Sequence, residues 1–335
     1  MGDALIAEVR TAGRARSPRV SVIVPTYGHE RWLGATARAV LDQDLPGEIQ
    51  LIVCDDASPD ATAAVMESVL AETESSVRAG PRSVTYLRLS RNSGPATARN
   101  AGLDHATGEF IAFTDSDCTP SRGWLRTALD AFAAGTGIVQ GRTYASETRV
   151  PLFEHHIDIG SLDGTFATAN VVYRREALAG ARFDPRFWSP SWTMEDTELA
   201  WRVLETGWSA RYAEEAVVLH RVIRLTPRAW IAWPIRFRVF PRLVSRHPGF
   251  KRHLLMGVWM RPLHLWFDLA VAGTLFALWW PPALVLVLPY VLEFARTRGI
   301  RGRFPPAKIA AHLAWDAVSF VTLAAFSLRY RVAVL

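Results

Sequence analysis

From residue 20 onward, short apolar runs alternate with longer amphipathic stretches. Residues 20–27 (VSVIVPTY), 49–56 (IQLIVCDD), 83–89, 109–114 (EFIAFT) and 137–143 are nearly continuous apolar runs. Their length and composition predict strands buried on both faces. Between them, residues 31–42, 60–72, 95–106 and 121–134 carry patterns of helical length, with Pro95 in a first turn where its missing N–H costs nothing. Strands separated by helices in this way predict βαβ units in an α/β fold, a doubly wound, mostly parallel sheet flanked by helices. Residues 144–190 read as an irregular stretch containing several glycines and Asn170. A further helix is predicted from about residue 193 to a C-cap at Gly207, then a strand over 210–219 that ends at His220.

The pattern changes after residue 221. Residues 221–262 are rich in arginine and in aromatic residues such as Trp230, Trp233, Phe237, Phe240, Phe250 and Trp259. No Asp or Glu occurs from 221 to 267. Residues 263–292 are apolar apart from Asp268 and are broken by Pro281 and Pro282. A basic loop (Arg296, Arg298, Arg301, Arg303, Lys308) precedes a last apolar stretch, 309–328, which carries Asp316. A single membrane crossing needs about 20 apolar residues. Residues 309–328 fit one crossing, and 263–292 fit a tight hairpin or a re-entrant pair. The expected organisation is a polar N-terminal tail (1–18), an α/β catalytic domain (19–222), and a basic, aromatic interfacial segment leading into hydrophobic membrane helices (223–335). A soluble helical subdomain or a dimer interface is the alternative for the last part.

Half of the 335 residues are hydrophobic and 21% are charged, with a net charge of +6. Neither a disordered nor a wholly membrane-embedded chain has this balance. Arginine interleaved with Trp and Phe suits an anionic membrane surface, so membrane lipids are expected partners. Nucleic acid is not expected, because the interleaved residues become frankly apolar. The N-terminal residues lack the apolar core of a secretory signal, and the basic loop favours the cytoplasmic side. The expected location is therefore the inner membrane, with the α/β domain facing the cytoplasm. Cys54 and Cys118 form no metal or redox spacing and read as buried residues of a reducing compartment.

Polar residues gather where the strands end, and ligands of doubly wound sheets bind beyond those carboxyl ends. Asp115 and Asp117 close the EFIAFT run. Two carboxylates one residue apart can hold a hard cation, and a diphosphate leaving group needs such a cation as charge gathers on its oxygens. Asp56 closes the second run and can accept a hydrogen bond from a base N–H. Pro25 and Tyr27 close the first and can sandwich the base. Arg99 lies in the stretch SRNSGPATARNAG, whose Gly and Asn suit a tight turn before a helix N-terminus, and would add a cation near a diphosphate. Glu195 and Asp196 open the EDTELAWR helix, where an acid can serve as general base. Each of these also has a plain structural explanation, as a strand-end turn or a first-turn acid favoured by the helix dipole.

In their order and spacing, VSVIVPTY, VCDDAS, RNSGPATARNAGLDHATGEFIAFTDSD and MEDTELAWR resemble glycosyltransferase family 2, over about residues 19–222. The resemblance implies a GT-A fold and an inverting transfer from a nucleotide-diphosphate-sugar to an acceptor hydroxyl or lipid phosphate. The acceptor would be a saccharide or a polyprenyl-lipid-linked precursor of cell-envelope glycan. It implies that Pro25, Tyr27 and Asp56 hold the nucleobase, that Asp115 faces the ribose, and that Asp117 binds Mn2+ or Mg2+. Asp196 would be the base within the Glu195–Asp196 pair, and His220 would help hold the metal or diphosphate. Ala57 stands where members often have Gly, and Gly28 where many have Asn. Two other readings remain open. One is a non-catalytic nucleotide-sugar-binding membrane subunit. The other is a haloacid-dehalogenase-type phosphatase using the DSDCT motif, although the only lysines are Lys251 and Lys308. A dehydrogenase is disfavoured because no GxGxxG follows the first run.

Overall fold

The computed structural model describes residues 5–76, 81–147, 153–189, 192–297 and 306–335. The chain divides into two compact units. One comprises Met1–Val150, His155–Pro190 and Glu195–Ile223, and the other Pro151–Glu154, Ser191–Met194 and Arg224–Leu335.

In the first unit, strands β1 (Ile6–Gly13), β2 (Val20–Thr26), β3 (Ile49–Asp55), β4 (Arg82–Leu89), β5 (Phe110–Phe113), β6 (Cys118–Pro120), β7 (Thr136–Ala145), β8 (Val171–Arg174) and β9 (Ser209–His220) form one sheet. Its order is β1-β4-β3-β2-β5-β8-β7-β9-β6. Among the described residues six of the nine strands run the same way, and β1, β8 and β6 run against them. Successive side chains of each strand enter opposite cores. Val20, Val22 and Val24 of β2 pack with α1 (Glu30–Leu41), α2 (Thr62–Ser75) and α4 (Trp124–Asp130). Ile23 packs on the other face with α3 (Pro95–His105), the short α5 (Arg175–Leu178) and α6 (Glu195–Glu205). Two covered faces explain why these strands read as unbroken apolar runs.

The strand and helix expectations fall on observed elements, with ends shifted by a few residues. One expectation is corrected. The N-terminal tail carries β1, which pairs antiparallel with β4 from Ile6↔Leu89 to Gly13↔Ser83. Half of its residues point to solvent, so it lacks the apolar run that marked the others. The stretch expected to be irregular contains β8, two residues' length past Ala169, and its Asn170 is a buried hub. Asn170 Oδ1 accepts the Trp124 indole N–H at 2.7 Å, and its Nδ2 donates to the carbonyls of Arg142 and Ala216, each at 2.8 Å. Parts of that stretch, the first four residues and Arg298, Arg301 and Arg303 of the basic loop lie outside the described residues.

Two contacts set α3 against the sheet. A Cβ on Gly102 would lie 2.6 Å from Ile23 Cγ2 and 2.8 Å from Cys54 Sγ, so only glycine lets the helix approach this closely. At its start, the backbone N–H groups of Ser93 and Gly94 donate to Asp56.

The second unit is helical, with α7 (Pro227–Ala232), α8 (Phe240–Arg246), α9 (Pro262–Phe276), α10 (Val287–Thr297) and α11 (Pro306–Tyr330). Helices α9 and α10 fold back on each other. Phe267 meets Tyr290 edge-on at 5.2 Å, and Gly273 lies against Leu286 and Ala283. The two acids in the apolar stretches each have a neutral donor. Asp268 accepts the Trp259 indole N–H at 2.8 Å, and Asp316 accepts the Tyr290 hydroxyl at 2.8 Å. At 15 and 11 residues, α9 and α10 reach only about 22 and 16 Å, short of the roughly 30 Å of a bilayer core. Among the described helices, Lys308–Tyr330 is long and apolar enough to cross a membrane.

Candidate active site

Strands β2, β3 and β5 end together, and the residues just past them converge. Pro25 is buried inside β2, in register with Cys54, and presents no free edge. It lies beyond Ile23, the last β2 residue paired with β5, where a missing ladder donor is tolerated. Tyr27, two residues on, is 48% exposed. Asp55 is fully buried and accepts from the Tyr86 hydroxyl at 2.6 Å, the Arg88 guanidinium at 2.5 Å and the Ser58 N–H at 2.8 Å. Asp56 spends one oxygen on Ser93 N–H and the other on Gly94 N–H, both at 2.7 Å. Burial raises its pKa and those two N–H bonds oppose the rise. Each oxygen keeps a second lone pair. Between Asp56 and Ser58, Ala57 adopts φ 60°, a left-handed turn that costs a residue with a Cβ about 1–2 kcal/mol. This turn is the physical reason a glycine suits that position.

Arg99 was expected to offer its charge to a diphosphate. Instead it is buried between two carboxylates. Its guanidinium donates to Glu195 Oε1 at 2.8 Å and to Asp115 Oδ1 at 3.0 Å, with the Phe183 ring 5.6 Å away. Burial works against its charge, yet Asp115, Glu195 and Asp196 together hold its pKa above the ordinary value. Glu195 is itself buried, and burial, then the charge of Asp196, pushes its pKa up to about 7 despite Arg99. Asp196 is less enclosed. Its Oδ1 accepts the Thr197 N–H at 2.7 Å. Burial raises its pKa, Arg99 lowers it, and the charge of Asp115 raises it again.

Asp115, Asp117, Cys118 and His220 each bring one ligand atom within 4.8 Å of the others. Asp117 Oδ2 lies 3.8 Å from His220 Nε2. His220 Nδ1 lies 2.7 Å from the carbonyl oxygen of Arg221, which can only accept. A proton on Nδ1 can donate to that carbonyl, which leaves Nε2 facing Asp117. Burial raises the pKa of Asp117, His220 lowers it and Asp115 raises it. Burial and the two nearby acids keep the Cys118 thiol protonated. That leaves two carboxylates and one imidazole, a donor set that fits Mn2+ or Mg2+.

Sequence reasoning missed His29. Its Nδ1 lies 2.7 Å from Ser116 Oγ, and its charge lowers the pKa of Asp117. Its ring meets Trp32 edge-on at 5.1 Å, and the Arg221 guanidinium lies 5.8 Å from the Trp32 ring centre. The only sequence signal was its place between β2 and α1, where it meets Ser116 of the Asp115–Asp117 turn.

Because the folded-state pKa of Glu195 lies above its ordinary 4.5, its ionisation weakens the fold as pH rises from about 4.5 to about 7. The Glu195→Gln variant is expected to lose less stability than the wild type over that window, in chemical denaturation at several pH values. Parallel curves for the two proteins would show that Glu195 titrates normally.

The glycosyl transferase family 2 model matches residues 21–191, just over half of the chain. A pre-mycofactocin glycosyltransferase of Mycobacterium tuberculosis is 31% identical over 249 residues, 69% of this chain and 48% of that protein. A GalNAc(5)-diNAcBac-PP-undecaprenol beta-1,3-glucosyltransferase of Campylobacter jejuni is 25% identical over 219 residues, covering 62% and 64%. The matches thus span about half to two-thirds of those relatives' lengths. Mannosyltransferase PcManGT from Pyrobaculum calidifontis, solved with GDP-Man and Mn2+, superposes at TM-score 0.55 with 21% identity, over 94% of this chain and 88% of that one. Residues 1–349 of S. aureus TarS with UDP give TM-score 0.53 at 20% identity, over 93% and 91%. These likenesses bear out the GT-A-type α/β fold. With the family match over residues that form β2 through α5 and the strand ends they carry, the chain belongs to glycosyl transferase family 2.

Proposed function

We propose that this protein is an inverting glycosyltransferase that moves a sugar from a nucleotide-diphosphate-sugar to an acceptor hydroxyl. The observation that carries the reading is the set of Asp115, Asp117 and His220 within 4.8 Å, joined through Arg99 to the acids that open α6. The donor class follows from the family and from the UDP and GDP-Man bound by TarS and PcManGT. Tyr27 offers an exposed ring to the base beside Asp56, and Asp115 faces the ribose. Asp117 and His220 would hold a divalent cation, which supplies positive charge to the departing diphosphate.

In this mechanism Asp196 takes the proton of the acceptor hydroxyl. The freed oxygen bonds to the anomeric carbon from the face opposite the diphosphate. The carbon–oxygen bond to the diphosphate breaks, and the configuration inverts. Glu195 acts on Arg99 rather than on substrate. It holds the guanidinium, which in turn fixes Asp115. The acceptor is a saccharide or a polyprenyl-linked precursor. The Campylobacter relative's undecaprenol-linked substrate supports that class.

The second unit supports work at a membrane. Leu278 and Trp279, between α9 and α10, are each 78% exposed, and Leu275, Val285 and Leu292 are each more than half exposed. A patch of this kind on helices too short to span suits insertion into one leaflet. Held there by this unit, the catalytic unit would face the cytoplasm at the inner membrane.

Asp196→Asn is expected to lower turnover about 100- to 10,000-fold with a saccharide acceptor. Release of nucleoside diphosphate with Mn2+ or Mg2+ measures this, and nucleotide affinity should be nearly unchanged. Normal turnover in the variant would remove Asp196 from the role, and absence of any sugar-dependent release from the wild type would favour a non-catalytic binding subunit. Trp279→Ser with Trp280→Ser should reduce recovery of the protein with floated liposomes severalfold. Undiminished recovery would contradict leaflet insertion by this turn.

A further inference from the structure

The second unit holds a cavity of about 300 Å³ lined by Arg238, Val239, Arg242, Phe326, Arg329 and Tyr330. Its lining combines two chemistries. Three guanidinium groups reach it from two chain segments about ninety residues apart in sequence. The rest of the wall is apolar, with Phe326 and Tyr330 stacked at 6.5 Å and 27°. The Arg329 guanidinium lies 6.0 Å from the Tyr330 ring centre.

Guanidinium groups present planar, forked donors that match phosphate oxygens. The charge balance of the surrounding chain favours an anion. Residues 224–335 contain 16 Lys and Arg against 3 Asp and Glu, a net +13 in a chain whose total is +6. A free inorganic anion gains nothing from the Val239, Phe326 and Tyr330 walls, whereas a phosphate with hydrocarbon attached uses both parts. The volume is at the low end of the roughly 300–1,000 Å³ typical of small-molecule sites, enough for a head group and the start of a chain.

The place in the fold agrees. Phe326, Arg329 and Tyr330 form the last turn of Lys308–Tyr330, the helix long and apolar enough to cross a membrane. Arginine and tyrosine at such an end sit at head-group depth. We propose that this cavity binds the phosphate head of a lipid. The proposal rests on the second unit alone and does not depend on the reading of the transferase chemistry.

The test uses the full chain in uncharged detergent, titrated calorimetrically with dihexanoyl phosphatidic acid, dihexanoyl phosphatidylcholine and inorganic phosphate. Phosphatidic acid should bind at least about tenfold more tightly than either of the others. Arg329 is exposed, so Arg329→Gln should fold normally and weaken phosphatidic acid severalfold. Adding Arg242→Gln should bring the loss beyond about tenfold. Arg228→Gln with Arg252→Gln, which alters the unit's charge away from the cavity lining, should leave the affinity within about twofold. The proposal is overturned if Arg329→Gln leaves the affinity unchanged, or if the Arg228 and Arg252 pair loses as much as the cavity variants. Inorganic phosphate binding as tightly as the lipid would overturn it as well, assigning the cavity to a free anion.

Discussion

A guanidinium taken out of water must be paired, and the burial of Arg99 is the constraint on which the catalytic unit depends. Its two partners come from different parts of the chain. Asp115 follows β5, 16 residues from Arg99 in sequence, and Glu195 opens α6, 96 residues from it. Both must reach Arg99, so the end of β5 and the first turn of α6 have little freedom relative to α3. The helix is in turn seated by Gly102 against Ile23 and Cys54, and its start is held by Asp56. Asp115 past β5 and Glu195 of α6 are thereby linked through one cation, on a helix whose start is held by Asp56 past β3. Asp196 is left less enclosed beside its buried neighbour Glu195, the arrangement expected of a pair in which one acid positions and the other reacts.

Much of this frame was legible beforehand because the physics that buries β2 to β5 also writes unbroken apolar runs. The strand ends then follow, and Asp56, Asp115, Asp117 and His220 were recognisable as residues at those ends. What was not legible depends on distant partners. Strand β1 carries no apolar run because it is a half-exposed edge strand, and only its register with β4 defines it. The burial of Arg99 could not be read from its surroundings, which show only a helix start. Its meaning comes from Glu195. His29 escaped for the same reason, since its contact with Ser116 joins residues 87 positions apart.

The second unit shows the same division. Its arginines and apolar stretches were visible, and Asp268 and Asp316 stood out as acids in apolar surroundings. Their use was hidden. Each accepts a hydrogen bond from an aromatic side chain, Trp259 or Tyr290, inside the helical unit. The unit carries an excess of positive charge, which suits the proposed membrane contact of its basic surface and the proposed lipid phosphate in its arginine-lined cavity.

The most direct measurement of the central constraint is a double-mutant cycle on Arg99 and Glu195, read by chemical denaturation. Arg99→Met alone should cost about 3–5 kcal/mol, because it strands a buried carboxylate. Adding Glu195→Met should recover part of that loss, giving a coupling of at least about 1 kcal/mol. Effects that add to within about 0.5 kcal/mol would contradict the account, because the two side chains would then not depend on each other.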